Sequence, residues 1–140
     1  MSDLDGTVGF MLKRAQIAHS RAMHAVFAEF DVTAVQFSVL TLAAKNPGIL
    51  QAELAAALEV ERPRIVPVLD SLERRRLAER RQDQLDGRNR RIHLTEQGTV
   101  LLGELTSRFK ELENRLASAL GDRTLKNLIT ALQVIIDLPE

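Results

Sequence analysis

Glu61-Arg62-Pro63-Arg64-Ile65-Val66-Pro67-Val68-Leu69-Asp70-Ser71-Leu72-Glu73-Arg74-Arg75-Arg76, continued by Leu77-Ala78-Glu79-Arg80-Arg81-Gln82-Asp83-Gln84-Leu85-Asp86-Gly87-Arg88-Asn89-Arg90-Arg91-Ile92-His93, is the stretch whose reading decides the fold. Its first part has the pattern of a helix: Ile65, Leu69 and Leu72 fall at i, i+4 and i+7 and make one inward stripe. Its second part has the pattern of a hairpin. Two weakly alternating arms, 77–81 and 91–94, flank a polar tip, 83–90, that holds the turn dipeptide Asp86-Gly87. An eight-residue tip is long for a tight hairpin, and predicts an extended, mobile wing. Ten of the chain's 19 basic residues lie in this stretch, all of them Arg, against six acids, so it carries +4 in a chain of zero formal charge. Arginine presents a planar fork of donors that suits phosphate oxygens and guanine edges. The stretch therefore reads as a surface that docks on DNA.

Working outward, Glu59-Val60-Glu61 is a turn, preceded by a short Ala-rich helix over 52–58 that Gln51 opens. Helix, tight turn and helix form the unit that lays its second helix in the major groove. Ile49-Leu50 is a very short extended segment. Upstream of it, Thr33 and Gln36 make a capping box that starts another helix, ended by Asn46-Pro47-Gly48. Residues 8–30 form the first helix, apolar over more than half its circumference through Met11, Ala15, Ala18, Ala22, Met23, Val26, Phe27 and Phe30. Such a helix is covered by more than one partner, which points to a subunit contact. Downstream, Thr95 caps a long fifth helix in which Leu102, Leu105, Phe109, Leu112, Leu116 and Ala119 follow heptad spacing, a seam that needs a facing helix. Gly121-Asp122 breaks it, with Asp122 as cap of a sixth helix carrying Leu125, Leu128, Leu132, Ile135 and Ile136.

The fold class is therefore mainly α with a small β-hairpin wing, a winged helix-turn-helix of about six helices. Residues 33–94 form the DNA-binding lobe; 8–30 and 95–138 form a helical dimerisation region, within one continuous compact domain. Cys is absent, which excludes disulfides and Cys-ligated zinc and fits a reducing compartment. No apolar run approaches the roughly 20 residues of a membrane span, and the start, Met1 to Gly6, has acidic residues where a signal peptide has basic ones. A cytoplasmic protein with no membrane association is the expectation. His19, His24 and His93 lack metal-ligand spacing. With no nucleophile elbow, no phosphate-cradling Gly loop and no paired His-carboxylate motif, neither an enzyme nor a cofactor or metal is expected.

The pieces Gln36-Phe37-Ser38-Val39-Leu40, Asn46 to Ala55, Leu69-Asp70-Ser71-Leu72-Glu73 and Asp86 to Gly98, in this order and spacing, resemble the MarR family of bacterial transcriptional regulators. The likeness covers roughly residues 30 to 100. It implies a winged-helix homodimer joined through its first, fifth and sixth helices, and release from DNA by small ligands, often aromatic acids or their derivatives. Two departures stand out. Pro63 and Pro67 occupy recognition-helix positions where Ser, Thr or Arg is frequent, which shifts base contact to Arg62 and Arg64. Gly87 replaces the middle Arg of the usual Asp-Arg-Arg wing.

These readings define the candidate sites. Arg62 and Arg64 are placed to read guanine. Pro63 fits the first helical turn, whereas Pro67 removes a hydrogen bond to the Pro63 carbonyl and predicts a distorted helix start; both offer ring surface to DNA. Arg88 is expected in the minor groove, Arg90 and Arg91 on phosphates, and Asp86 pairs with an Arg to shape the wing. Among Arg74, Arg75, Arg76, Arg80 and Arg81, several are expected to pair with Glu73, Glu79 and Asp83. Arg14, Arg21 and His24 form one stripe of the first helix. With Phe27, Phe37 and neighbouring Phe30 they are candidates for holding a small anionic or aromatic ligand, against a plain solvated face. The expected partners are double-stranded DNA with a pseudo-palindromic operator, a second copy of the chain, and such a ligand. The competing readings are a helical protein-interaction module whose Arg-rich hairpin meets an acidic partner, and a nonspecific architectural DNA binder.

Overall fold

The computed structural model describes residues 3–140, so Met1 and Ser2 of the acidic start lie outside the described residues. In chain order the elements are α1 (Val8–Glu29), α2 (Ala34–Lys45), β1 (Ile49–Leu50), α3 (Gln51–Ala57), α4 (Arg62–Arg74), β2 (Ala78–Gln82), β3 (Arg90–Leu94), α5 (Glu96–Leu120) and α6 (Asp122–Asp137). The chain groups into two compact units that divide between Thr106 and Ser107, within α5.

The helix starts follow local hydrogen bonding. The Thr33–Gln36 box closes in both directions, Gln36 N–H to Thr33 Oγ1 at 3.1 Å and Thr33 N–H to Gln36 Oε1 at 2.9 Å. Thr95 caps α5: its hydroxyl accepts from the Gly98 N–H at 3.0 Å and donates to the Arg76 carbonyl at 2.6 Å. Asp122 does not cap α6, contrary to the sequence expectation. Gly121, at φ +82°, takes the N-cap position without a side-chain bond, and Asp122 is the first helical residue, where its charge only offsets the helix dipole.

Three helix ends share one device that the sequence does not advertise. Asp31, Glu59 and Arg76 follow α1, α3 and α4 with φ of +52°, +55° and +59°. In each case the next residue's N–H reaches back five positions: Val32 to Phe27 O at 2.9 Å, Val60 to Ala55 O at 3.0 Å, and Leu77 to Leu72 O at 2.9 Å. These are Schellman ends, in which the left-handed residue is usually Gly. None of the three is Gly here, so each carries left-handed strain.

The expected hairpin forms, with Ala78 opposite Leu94 and Gln82 opposite Arg90. It gains a third strand. Gly48, at φ +80°, turns the chain so that its N–H meets the Ile92 carbonyl at 3.1 Å, and Ile49 and Leu50 pair with Ile92 and Arg91, giving the antiparallel order β1-β3-β2. Val39, Leu40, Leu54, Ile65, Leu69, Leu72 and Ile92 are fully buried between this sheet and α2, α3 and α4. Gly98 allows α5 to start against the lobe: a Cβ there would lie 1.9 Å from the Leu77 carbonyl oxygen.

Pro67 does not open the recognition helix. The helix is continuous from Arg62 to Arg74 with Pro67 inside it, and Pro63 in its first turn. The departure is limited to a tight first turn, where the Arg64 N–H reaches the Glu61 carbonyl at 2.9 Å. Because Pro67 is exposed, the Pro63 carbonyl that loses its helical donor lies where water can serve it.

Candidate DNA interface

α4 is fastened along its inner side, and this determines what its outer side presents. Ile65, Leu69 and Leu72 are buried. Gln36 reaches from α2, its Nε2 donating to Ser71 Oγ at 3.0 Å. Arg75 extends its guanidinium to the end of α1, donating to the Asp31 and Phe30 carbonyls at 2.6 and 3.2 Å. Arg80 on β2 bridges both Asp70 and Glu73 of α4. Partial burial disfavours its charge, but hydrogen bonds and Coulombic attraction from Glu73 and Asp70 outweigh this and raise its pKa above the ordinary value. The strand that leads into the wing is thereby tied to the recognition helix.

The outer side of the first two turns consists of Arg62, Pro63, Arg64, Val66 and Pro67, all exposed. No side-chain hydrogen bond or ion pair to another described residue engages the guanidinium of Arg62 or Arg64. Pro63, Val66 and Pro67 are spaced to share one face, an apolar surface beside two guanidinium groups; the sequence reading had not included Val66.

The wing is built by its own polar groups. The Asp83 N–H donates to the Asn89 carbonyl and the Asn89 N–H to the Asp86 carbonyl, both at 3.0 Å. Asp86 Oδ1 accepts from the Arg88 backbone N–H at 3.0 Å, with Arg88 Nε at 3.8 Å. Asp86 thus acts mainly on the backbone rather than through an Arg side chain. Gly87 has no left-handed φ. Its part is to leave room for Gln82, whose Nε2 would lie 2.6 Å from a Cβ and which donates to the Gly87 carbonyl at 2.9 Å.

Arg91 has a different use from the phosphate contact expected of it. Its Nε pairs with Asp83 at 3.1 Å and its Nη1 donates to the Gly48 carbonyl at 2.8 Å, fixing the wing's base to the β1 turn. The Arg91 hydrogen bond is the main reason that the Asp83 carboxyl is held below its ordinary value of 3.8, against opposing desolvation and with help from the Leu85 N–H. Since Asp83 is taken by Arg91, the pairs that form with the other two expected acids are Arg80 with Glu73 and Arg81 with Glu79, the latter exposed and worth about 0–1 kcal/mol.

The tertiary fold brings helix and wing together. Arg62, Arg88, Asn89 and Arg90 line one cleft of about 140 Å³ with Leu50, Gln51 and Ala52 at the β1–α3 junction. Three arginines, two of them 26 and 28 residues beyond the first in the chain, thus line one opening, and no acidic residue lines it. The parts contributed by Leu50, Gln51, Ala52 and Asn89 carry no sequence signal, because their place depends on β1 joining β3.

The candidate ligand residues are not gathered in this way. Phe27 is buried and its ring centroid lies 5.8 Å from that of Phe37 at a tilt of 52°. Phe27 lines a cleft of about 250 Å³ with Val32, Gln36, Ser71 and Arg75, smaller than most drug-sized pockets. Arg14, Arg21 and His24 are exposed on α1 and do not line it; Arg14 lies over the Phe10 ring, 5.9 Å from its centroid. No group of three or more His, Cys, Asp and Glu among the described residues is placed to hold a metal ion. Among the described residues, no single helix is long and apolar enough to cross a membrane.

A winged helix-turn-helix with an arginine cleft between recognition helix and wing defines a class of nucleic-acid-binding regulators. Comparison with known proteins specifies it. Residues 30–89 match the family described as MarR. A protein of Thauera aromatica described as a transcriptional regulatory protein for the hcr operon is 31% identical over 129 residues, covering 91% of this chain and 78% of that protein. Among solved structures, the transcriptional repressor CouR bound to a 23-mer DNA duplex superposes with a TM-score of 0.82 at 34% identity, over 97% of this chain and 96% of that one. CouR bound to p-coumaroyl-CoA gives a TM-score of 0.76 at 33% identity, over 98% and 96%. The MepR–DNA complex of S. aureus gives 0.73 at 26% identity, over 91% and 96%. The chain belongs to the MarR family and is a winged-helix transcriptional regulator.

Proposed function

We propose that this chain binds a pseudo-palindromic DNA operator as a homodimer and represses transcription until a small anionic ligand releases it. The observation that carries the DNA reading is the convergence of Arg62 with Arg88 and Arg90 on one cleft free of acids. Arg62 and Arg64 enter the major groove with Pro63, Val66 and Pro67 offering apolar contact of the kind a thymine methyl accepts. Arg88 reaches the minor groove and Arg90 a phosphate. Arg91, engaged within the wing, contributes indirectly by keeping the wing upright.

The dimer reading rests on apolar surface left without cover. α6 has no buried residue, and Leu128, Ile129, Ile135 and Ile136 are exposed on it. Two recognition helices related by a two-fold axis would stand about one DNA turn apart, roughly 34–36 Å. The nonspecific architectural reading loses ground because a two-fold pair of recognition helices selects a spaced sequence. For the ligand, an aromatic acid or its acyl-CoA thioester is the class suggested by the CouR complex, with Arg14 and Arg21 on the exposed face of α1 as the candidate anion contacts. The ligand acts only by binding the two helix spacings with different affinity. The protein works in the cytoplasm by binding rather than by catalysis.

Selection from random duplex DNA tests the proposal. A two-fold-symmetric consensus is expected, with affinity falling steeply as salt rises because phosphate contacts release counterions. No enrichment, or affinity indifferent to salt, refutes it. Thermal-shift screening of aromatic acids and their CoA thioesters tests the ligand arm, and failure of every anionic compound to stabilise the protein would remove it.

A further inference from the structure

The wing tip exposes one large apolar side chain almost completely. Leu85 is 93% exposed, more than any other large apolar residue described; the next, Ile136, is 72% exposed. It stands in a loop whose two acids and whose Gly87 carbonyl are engaged by groups of the same wing. Asp83 is taken by Arg91 at 3.1 Å and also accepts the Leu85 N–H at 3.4 Å. Asp86 accepts the Arg88 N–H at 3.0 Å. Gln82 Nε2 and Arg90 Nη1 both donate to the Gly87 carbonyl, at 2.9 and 3.1 Å. The acids that flank Leu85 are therefore engaged by the wing's own donors. Gln84, Leu85 and Arg88 are exposed on this frame; Leu85 is the apolar one and Arg88, with its side chain 95% exposed, the cationic one.

We propose that Leu85 is a minor-groove contact of this protein, seated beside Arg88 with its isobutyl group against the deoxyribose walls of an A·T-rich flank. The chemistry favours this occupant. A hydrogen-bonded, self-neutralised tip needs no apolar residue for its own stability, and Leu85 contributes nothing to the core. The minor groove is about 6 Å wide and lined by sugar carbons, and Leu is among the side chains that enter it as apolar contacts. Arg88 supplies the attraction that a narrow groove exerts on a cation, and Leu85 the apolar surface that attraction alone does not use. The guanine 2-amino group projects into the minor groove only at G·C pairs. Leu85 therefore discriminates against G·C at the flank without a hydrogen bond.

The inference rests on the DNA-binding reading, and the test separates the two. Binding of wild type, Leu85→Ser, Leu85→Met and Arg88→Ala to the selected duplex is measured by fluorescence anisotropy. Because Leu85 packs against nothing, the variants should share the wild-type circular dichroism and melting temperature, so lost affinity is not lost folding. Leu85→Ser is expected to weaken binding about fivefold through lost apolar burial, and Leu85→Met to remain within about twofold. Flanking A·T pairs are then replaced by G·C, or by inosine·C, which lacks the 2-amino group. Wild type is expected to lose affinity for the G·C flank and keep it for the inosine flank, while Leu85→Ser discriminates less. Wild-type affinity in Leu85→Ser, alongside a loss in Arg88→Ala, overturns the role of Leu85 and leaves the DNA reading standing. An equal loss on all three flanks overturns the groove seat. Failure of wild type to bind any duplex overturns both.

Discussion

α4 and α6 are amphipathic helices of 13 and 16 residues with opposite fates. α4 buries Ile65, Leu69 and Leu72 completely against its own chain. α6 carries more large aliphatic residues and buries none, leaving Ile129 and Ile136 at 59% and 72% exposure. The period of a hydrophobic stripe states that a face needs cover; it does not state which chain supplies it. Where the chain provides a sheet and two more helices, as around α4, the opposite face becomes free for a partner of other chemistry. Where it does not, the stripe itself becomes the docking surface.

Five perturbations break or sharpen this contrast. The largest effect belongs to the inner side of α4. Leu69→Ala should cost about 2–5 kcal/mol in urea unfolding through the cavity it leaves. Ile136→Glu should leave the unfolding of the lobe nearly unchanged while converting the protein to monomer in analytical ultracentrifugation; a fully dimeric variant would show that α6 is not the covered face. Next comes the outer side of α4. Arg64→Ala should weaken operator binding by about 1–3 kcal/mol, the range for a base-reading Arg, with no change in melting temperature.

A smaller effect lies at the end of α4, and its sign is favourable. Arg76 holds φ +59° in a Schellman end, so Arg76→Gly should raise stability by about 1 kcal/mol in thermal or urea unfolding by removing left-handed strain. A loss instead would mean that the Arg76 side chain does more than its backbone shows. The smallest effect is at the wing. The folded Asp83 carboxyl is held below its unfolded value of 3.8, chiefly by Arg91. Its stabilising contribution is thus fully present above pH 3.8 and lost as pH falls through the lower folded value. Amide chemical shifts at Leu85 should stay flat from pH 7 to about 5 and move only below 3.8. Asp83→Asn should abolish that movement; an unchanged titration would place the pairing elsewhere.

Much of this was legible from local pattern because the causes are local. The Thr33–Gln36 box, the inward stripe of α4, the hairpin arms and the Thr95 cap depend on residues within about four positions of one another, or on a two-residue period. The misreadings arose where local rules compete. Asp122 reads as a cap, but Gly121 takes that position at φ +82°. Pro67 reads as distorting the helix start, but the departure is confined to a tight first turn, because its lost hydrogen bond lies on the exposed side and the inner packing of α4 holds the helix. Asp31, Glu59 and Arg76 gave no signal of a left-handed turn, since that conformation is normally signalled by Gly.

The candidate interface divides in the same way. The sequence by itself determined that arginines would crowd one stretch, that a helix would present Arg62 and Arg64 at its start, and that a wing would carry Arg88, because these follow from composition and short-range period. Only the tertiary structure decided which arginines are engaged within the fold. Arg75, Arg80 and Arg91 look like Arg62, Arg64 and Arg88 in the sequence, yet they are engaged by Asp31 and Phe30 carbonyls, by Asp70 and Glu73, and by Asp83 and Gly48. A charged side chain's role depends on whether a partner lies within hydrogen-bonding reach, and the partners of Arg75 are 44 and 45 residues away in sequence.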